Sequence, residues 1–150
     1  MKYPKELKSN SAFTLAEVLI TLGILGIIIA ATAPFTFQFY YRYQLDSDRT
    51  TFVSILREAR TMSMSGIGGT DHGIHIASSQ FTLFEGSSYA TRNTSKDQTY
   101  DRFEAVAVTG QSEIVFRSLN GKSASVSFTL DNGAKKSKIY VNTEGRIDWE

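Results

Sequence analysis

The chain has 150 residues and a mass of 16.7 kDa, enough for one domain and a short appendage. Sixteen Lys and Arg against 15 Asp and Glu leave a net charge of +1, which excludes a generally basic nucleic-acid binder and leaves room only for a local patch. The absence of cysteine excludes a disulfide scaffold, a thiol nucleophile and a thiolate zinc site, and two histidines, His72 and His75, offer little for metal or acid–base chemistry. The hydrophobic fraction, 41%, is ordinary, but its distribution is not: no charge occurs from Val18 to Tyr41.

Residues 1–12 are polar and basic, with Lys2, Lys5 and Lys8 against Glu6. Positive charge ahead of an apolar run keeps that end in the cytoplasm. The run contains 12 Leu, Ile, Val or Phe residues. At about −0.3 to −0.6 kcal/mol each they supply roughly −4 to −7 kcal/mol toward insertion. Its polar interruptions are Thr21, Thr32, Thr36 and Gln38, and its length suffices to span a bilayer. Three readings fit. A secretory signal would be cut near Ala30–Ala33, where the following Pro34 is awkward for the peptidase. A plain signal anchor is the second. The third turns on Glu17, a carboxylate at the lip of an apolar helix, which costs about 2.5–3.5 kcal/mol near the membrane centre and needs compensation.

The segment Ala12-Phe13-Thr14-Leu15-Ala16-Glu17, followed by a long apolar helix, resembles the class III signal of type IV prepilins and type II secretion pseudopilins. That signal is a small residue, then Phe-Thr-Leu-x-Glu. Ala12 stands where glycine is commoner, and Pro34 stands where many members carry a helix-kinking proline. The resemblance implies cleavage between Ala12 and Phe13 by a membrane prepilin peptidase, and N-methylation of Phe13. It implies that the helix is retained and that Glu17 of one subunit faces the Phe13 amine of a neighbour in a helical filament. A buried charge pair of this kind acts as a register device. Gly23, Gly26 and Pro34 mark where the helix can bend. The implied partners are other pilin or pseudopilin subunits, the peptidase, an inner-membrane assembly platform and membrane lipid. The implied location is the inner membrane before assembly, N-terminus inward, with the C-terminal part periplasmic or extracellular.

Past Tyr41 the helix is expected to continue. Tyr41, Leu45, Phe52, Ile55, Leu56, Ala59 and Met62 recur at helical spacing and read as a core face. Arg42, Asp46, Asp48, Arg49, Arg57, Glu58 and Arg60 read as the exposed sides. Gly66, with Gly68 and Gly69, should stop the helix. From Phe13 to Ser65 such a helix is about 80 Å long if unbroken.

Strands are expected over 73–77 and 80–84, with Ile74, Ile76, Phe81 and Leu83 inside. The polar stretch 86–103 reads as a long loop. Further strands are expected over 104–108, 113–116, 123–130, 137–142 and 146–149. Asp131-Asn132-Gly133 and Thr143-Glu144-Gly145 read as turns. The expected architecture is α+β, a long N-terminal helix packed on antiparallel sheet. The expected divisions are a leader over 1–12, a filament-core or transmembrane helix over 13–41, an amphipathic continuation over 42–66 and a β domain over 67–150. Glu58-Ala59-Arg60 at the helix end, Phe116 followed by Asn120-Gly121, and the final Val141-Asn142, Gly145-Arg146 pattern resemble FimT/GspH-type minor pseudopilins. That likeness implies two small antiparallel sheets after the helix.

Other chemistry is sparse. His72 and His75 lie three apart, so on a strand they point to opposite faces and cannot chelate together; they read as a loop and a strand histidine. No nucleophile elbow or phosphate loop is present, and neither an enzyme nor a cofactor is expected. Lys135, Lys136 and Lys138, with Arg146, form a cluster that DNA phosphates could engage. Residues 42–150 carry 13 basic and 13 acidic side chains, so the plainer reading is a solvated hairpin tip. Tyr40, Tyr41 and Tyr43 suit a membrane-interface belt better than a base-stacking platform.

Overall fold

A computed structural model describes residues 13–150, with the backbone alone at 33–38. One helix, α1 (Leu15–Met64), precedes eight strands: β1 (His72–Ile76), β2 (Gln80–Glu85), β3 (Gln98–Asp101), β4 (Ala107–Thr109), β5 (Glu113–Phe116), β6 (Val126–Asp131), β7 (Lys136–Val141) and β8 (Ile147–Trp149). The chain divides into a unit ending at Gln38 and a second spanning Phe39–Glu150. The class is α+β, and the strands form two four-stranded antiparallel sheets, ordered β3-β2-β1-β5 and β4-β6-β7-β8.

α1 begins at a side-chain cap. The Thr14 hydroxyl accepts the Glu17 N–H at 3.3 Å, relieving one of the amides a helix start leaves unpaired. It ends where Gly66 adopts φ +64°, a left-handed conformation that costs glycine little. In the second unit the apolar stripe turns inward as the spacing predicts: Leu45, Phe52, Ile55, Leu56 and Ala59 are fully or almost fully buried. Phe52 joins the helix to both sheets. It stacks on Phe81 of the first at 4.7 Å between ring centres and meets Phe128 of the second edge-on at 5.1 Å. Burying such a ring contributes about 1.5–3 kcal/mol.

Asp46, Arg49, Glu58 and Arg60, expected on the exposed sides, are half-buried, and Tyr41 and Asp48 depart from the pattern altogether. Tyr41 is exposed, because the β6–β7 turn reaches only its carbonyl. Asp48, expected in solvent, is 2% exposed. Its carboxylate accepts the Phe103 N–H and lies 3.9 Å from the Arg102 guanidinium. A periodic pattern assigns charge outward by default and is silent about a buried backbone donor waiting on a distant loop.

The strands differ from expectation mainly between 86 and 109. The stretch read as a loop folds back over β2 and ends in β3, which pairs along the edge of the first sheet. Four consecutive residues of β2, Phe81 to Phe84, are buried, because helix and core cover one face while the returning segment covers the other. Tyr89 supplies that cover, edge-on to Phe84 at 5.6 Å. β3 (Gln-Thr-Tyr-Asp) holds one aromatic among polar residues, as edge strands often do, and so gives no hydrophobic signal. The strand expected over 104–108 starts later, at Ala107, because Arg102 and Asp48 hold the preceding residues in a loop that buries Val106. β6 and β7 alternate cleanly, with Phe128 opposite Ile139 and Val126 opposite Val141 inside.

Candidate functional site

The functional candidates lie in three places: the start of α1, the β6–β7 turn and the polar groups inside the head. At the first, Leu15–Thr32 has a mean hydropathy of 2.3 and none of it is buried within the protein. By length and composition this stretch can cross a membrane, and nothing among the described residues covers it. Its two threonine hydroxyls are satisfied within the helix. Thr21 and Thr32 hydroxyls donate to the carbonyls of Glu17 and Ile28, at 2.7 and 3.0 Å. α1 runs through Gly23 and Gly26 without a break, and a methyl group added at either would meet nothing within 4 Å.

Glu17 lies in the first turn of α1, three residues after the capping Thr14. A carboxylate there is favoured by the partial positive charge of the helix start. Among the described residues, however, the Glu17 carboxylate meets no cation and accepts no hydrogen bond. Phe13, four residues earlier, is 80% exposed. Ala12 lies outside the described residues, as do the side chains of Pro34 and Gln38.

The lysine cluster does not form one patch. Lys135 lies in the β6–β7 turn, and Lys136, the first residue of β7, pairs with Asp131 at 3.0 Å. Gly133, at φ +79°, donates its N–H to Asp131, whose carboxyl is held below its ordinary value by that bond and by Lys136. Lys138 stands on the exposed side of β7. Arg146 lies beyond the other end of that strand, paired with Asp148 at 2.9 Å. The sequence brings these four together only by proximity along the chain; a β-strand separates them in space.

The buried polar groups fasten the fold. Ser63, fully buried near the end of α1, donates its hydroxyl to the Phe116 carbonyl at 2.9 Å and accepts the His72 N–H at 3.0 Å. His72 thus begins β1 rather than lying in a loop, and it faces inward. His75 faces the other way and stacks on Tyr89 at 3.7 Å, with the Arg92 guanidinium 3.6 Å from the same ring. Arg92 in turn binds Asp97 at 2.8 Å. A cleft of about 660 Å³ opens beside Asp71, Arg117, Asn120, Lys122, Thr143 and Glu144. Its acidic groups are engaged in holding its walls: Asp71 accepts the Ser118 N–H at 2.7 Å and Glu144 pairs with Lys122 at 3.0 Å. No group of three or more His, Asp or Glu side chains among the described residues is arranged to hold a metal ion.

Among the described residues an uncovered apolar helix with an acidic first turn thus precedes a head of two small antiparallel sheets. Residues 7–33 match the family model described as the prokaryotic N-terminal methylation motif. A search of curated proteins returns no match. Among solved structures, the fold is similar to that of the minor pseudopilin EpsH from the Type 2 Secretion System of Vibrio cholerae. The TM-score is 0.54 at 9% identity, over 71% of this chain and 96% of that one. The matched motif covers the front of α1, and the likeness to EpsH is one of fold. The two sheets are those that the resemblance to FimT/GspH-type proteins implied.

Sequence reasoning did not find Ser63, the burial of Asp48, or the contact between Asn132 and the helix. Ser63 carries a weak signal, since it extends the buried stripe by four residues from Ala59. The other two depend on loops distant in sequence and leave none.

Proposed function

We propose that this chain is a pilin or minor-pseudopilin subunit of a type IV pilus or type II secretion pseudopilus, made as a precursor. The leader, residues 1–12, is removed between Ala12 and Phe13 by a prepilin peptidase on the cytoplasmic side, and Phe13 is N-methylated. The subunit waits in the inner membrane on its apolar helix, with the head on the far side. An assembly platform then moves it into a filament whose core is made of such helices. The likeness to EpsH supports the minor-pseudopilin branch.

The observation that carries this reading is the uncovered Leu15–Thr32 span led by Glu17, within the matched motif. In a helix bundle Glu17 would be desolvated without a partner. The new amine of a neighbouring Phe13 is the group of opposite charge that processing creates at the right depth. Each charge is tolerable there only because the other is present.

The test compares Glu17→Ala with wild type, co-expressed with the assembly system. Insertion should be unchanged, since an apolar residue replaces a charge. Breaking a buried pair costs about 3–5 kcal/mol, so incorporation into filaments should fall more than about tenfold. Equal incorporation of both would contradict the pairing.

A further inference from the structure

We infer that the β6–β7 turn is a second membrane contact, in which Lys135 and Lys136, with Arg42, dock on anionic phospholipid headgroups while the subunit is membrane-inserted. This rests on the proposed membrane-anchored form and adds to it a site in the head.

The placement follows from two contacts. At one end of β7, the Asn132 side-chain amide donates to the Tyr41 carbonyl at 2.6 Å. At the other end, the Arg60 guanidinium donates to the Glu144 carbonyl at 3.5 Å. Tyr41 and Arg60 are 19 residues apart on α1, about 28 Å along the axis. β7 therefore runs beside α1 in the same direction, and the turn before it lies level with Tyr41. Tyr41 closes the uncharged run, and Arg42 is the first charge after it. The turn is thus held where the apolar stretch ends.

The side chains at that level have headgroup chemistry. Phe39, Tyr40, Tyr41 and Tyr43 are all exposed, Phe39 and Tyr43 at 71% and 64%, which suits rings with one apolar and one wet side at a bilayer surface. Lys135 and Arg42 are exposed and have no carboxylate partner among the described residues. Lys136 is shared with Asp131, and exposed Glu104, on the loop beside Phe103, opposes the cluster. Three cations against two carboxylates leave a positive surplus. The turn is also rigid: Asn132 Oδ1 accepts the N–H groups of Ala134 and Lys135 at 3.1 and 2.9 Å, so presenting Lys135 costs little further ordering. A lysine near an anionic leaflet shifts a docking equilibrium about fivefold.

The test exploits the lack of native cysteine. The full chain carrying Ala134→Cys is labelled with a small fluorophore and reconstituted into phosphatidylcholine vesicles, with or without phosphatidylglycerol, containing a headgroup-attached nitroxide quencher. Ser65→Cys, at the far end of α1, is the control. Flotation of the vesicles reports insertion. The expected result is strong quenching at position 134 in phosphatidylglycerol vesicles and little at 65. Lys135→Glu with Lys136→Glu should lower the docked-to-undocked ratio at least about fivefold, and raised salt should weaken docking. An inserted chain with position 134 no more quenched than 65 would overturn the inference. So would quenching indifferent to phosphatidylglycerol and to lysine reversal, which the tether alone would produce. A chain that fails to float with the vesicles would overturn the membrane-anchored reading itself, and this inference with it.

Discussion

The Asp48 carboxylate accepts the backbone N–H of Phe103, 3.2 Å from each oxygen, across 55 residues of chain. Arg102 completes the arrangement. Its guanidinium donates to the carbonyls of Ala77 and Val106 and lies 5.4 Å from the centre of the Phe81 ring. One helical acid thus fixes the loop that leads from the first sheet into the second. Asp48→Ala leaves a buried guanidinium without its counter-charge and an amide without its acceptor. Because Arg102 keeps its carbonyl partners, the expected loss is about 3 kcal/mol, at the low end for breaking a buried pair. Urea unfolding of the detergent-solubilised chain measures it; a loss under about 0.5 kcal/mol, the range of ordinary surface substitutions, would contradict the role.

The same residue predicts a pH dependence. Burial raises the Asp48 carboxyl above its ordinary 3.8, against the opposing pull of the Phe103 N–H and of Arg102. A carboxyl with a higher pKa folded than unfolded binds its proton more readily in the folded state. Its contribution is full below the unfolded value and is lost as pH rises through the folded one. Asp48→Asn removes this dependence. The stability of wild type relative to Asp48→Asn should therefore grow as pH falls through the window just above 3.8. Unfolding at a series of pH values checks it; an advantage that grows with rising pH would show the opposite sign.

Ser63 makes a comparable prediction at the other end of the head. Its hydroxyl serves the Phe116 carbonyl and the His72 N–H where water has no access. Ser63→Ala keeps the volume and orphans both groups, at a cost of roughly 2–4 kcal/mol. Hydrogen exchange should locate the damage: the His72 amide should lose protection, while amides of β6 and β7 keep theirs. Uniform loss across both sheets would mean that Ser63 is not a local fastener.

Legibility varied with the physical origin of each element. The helix and β6–β7 were readable because one apolar stripe and one alternating pair specify a buried face locally. Phe52, Ile55 and Leu56 fell where the helical stripe put them. β3 was hidden because its pairing with β2 uses backbone bonds and one tyrosine, with no run of apolar residues. Asp48 was misassigned because its partners come from residues 102 and 103, which no periodicity connects to a helix. At the candidate site, the motif around Phe13 and Glu17 was legible because it is written in consecutive residues. The lysines were legible as a cluster but not as a location, since only the Asn132–Tyr41 bond reveals which end of the head they occupy.

Processing at the front of α1 decides whether the helix is kept for assembly. Intact-mass and N-terminal peptide analysis of the chain, purified from cells with an active prepilin peptidase, measures it directly. The prediction is a polypeptide that begins with N-methylated Phe13 and keeps its apolar helix. A chain still carrying residues 1–12, or one that begins near Pro34 with the helix removed, would contradict it.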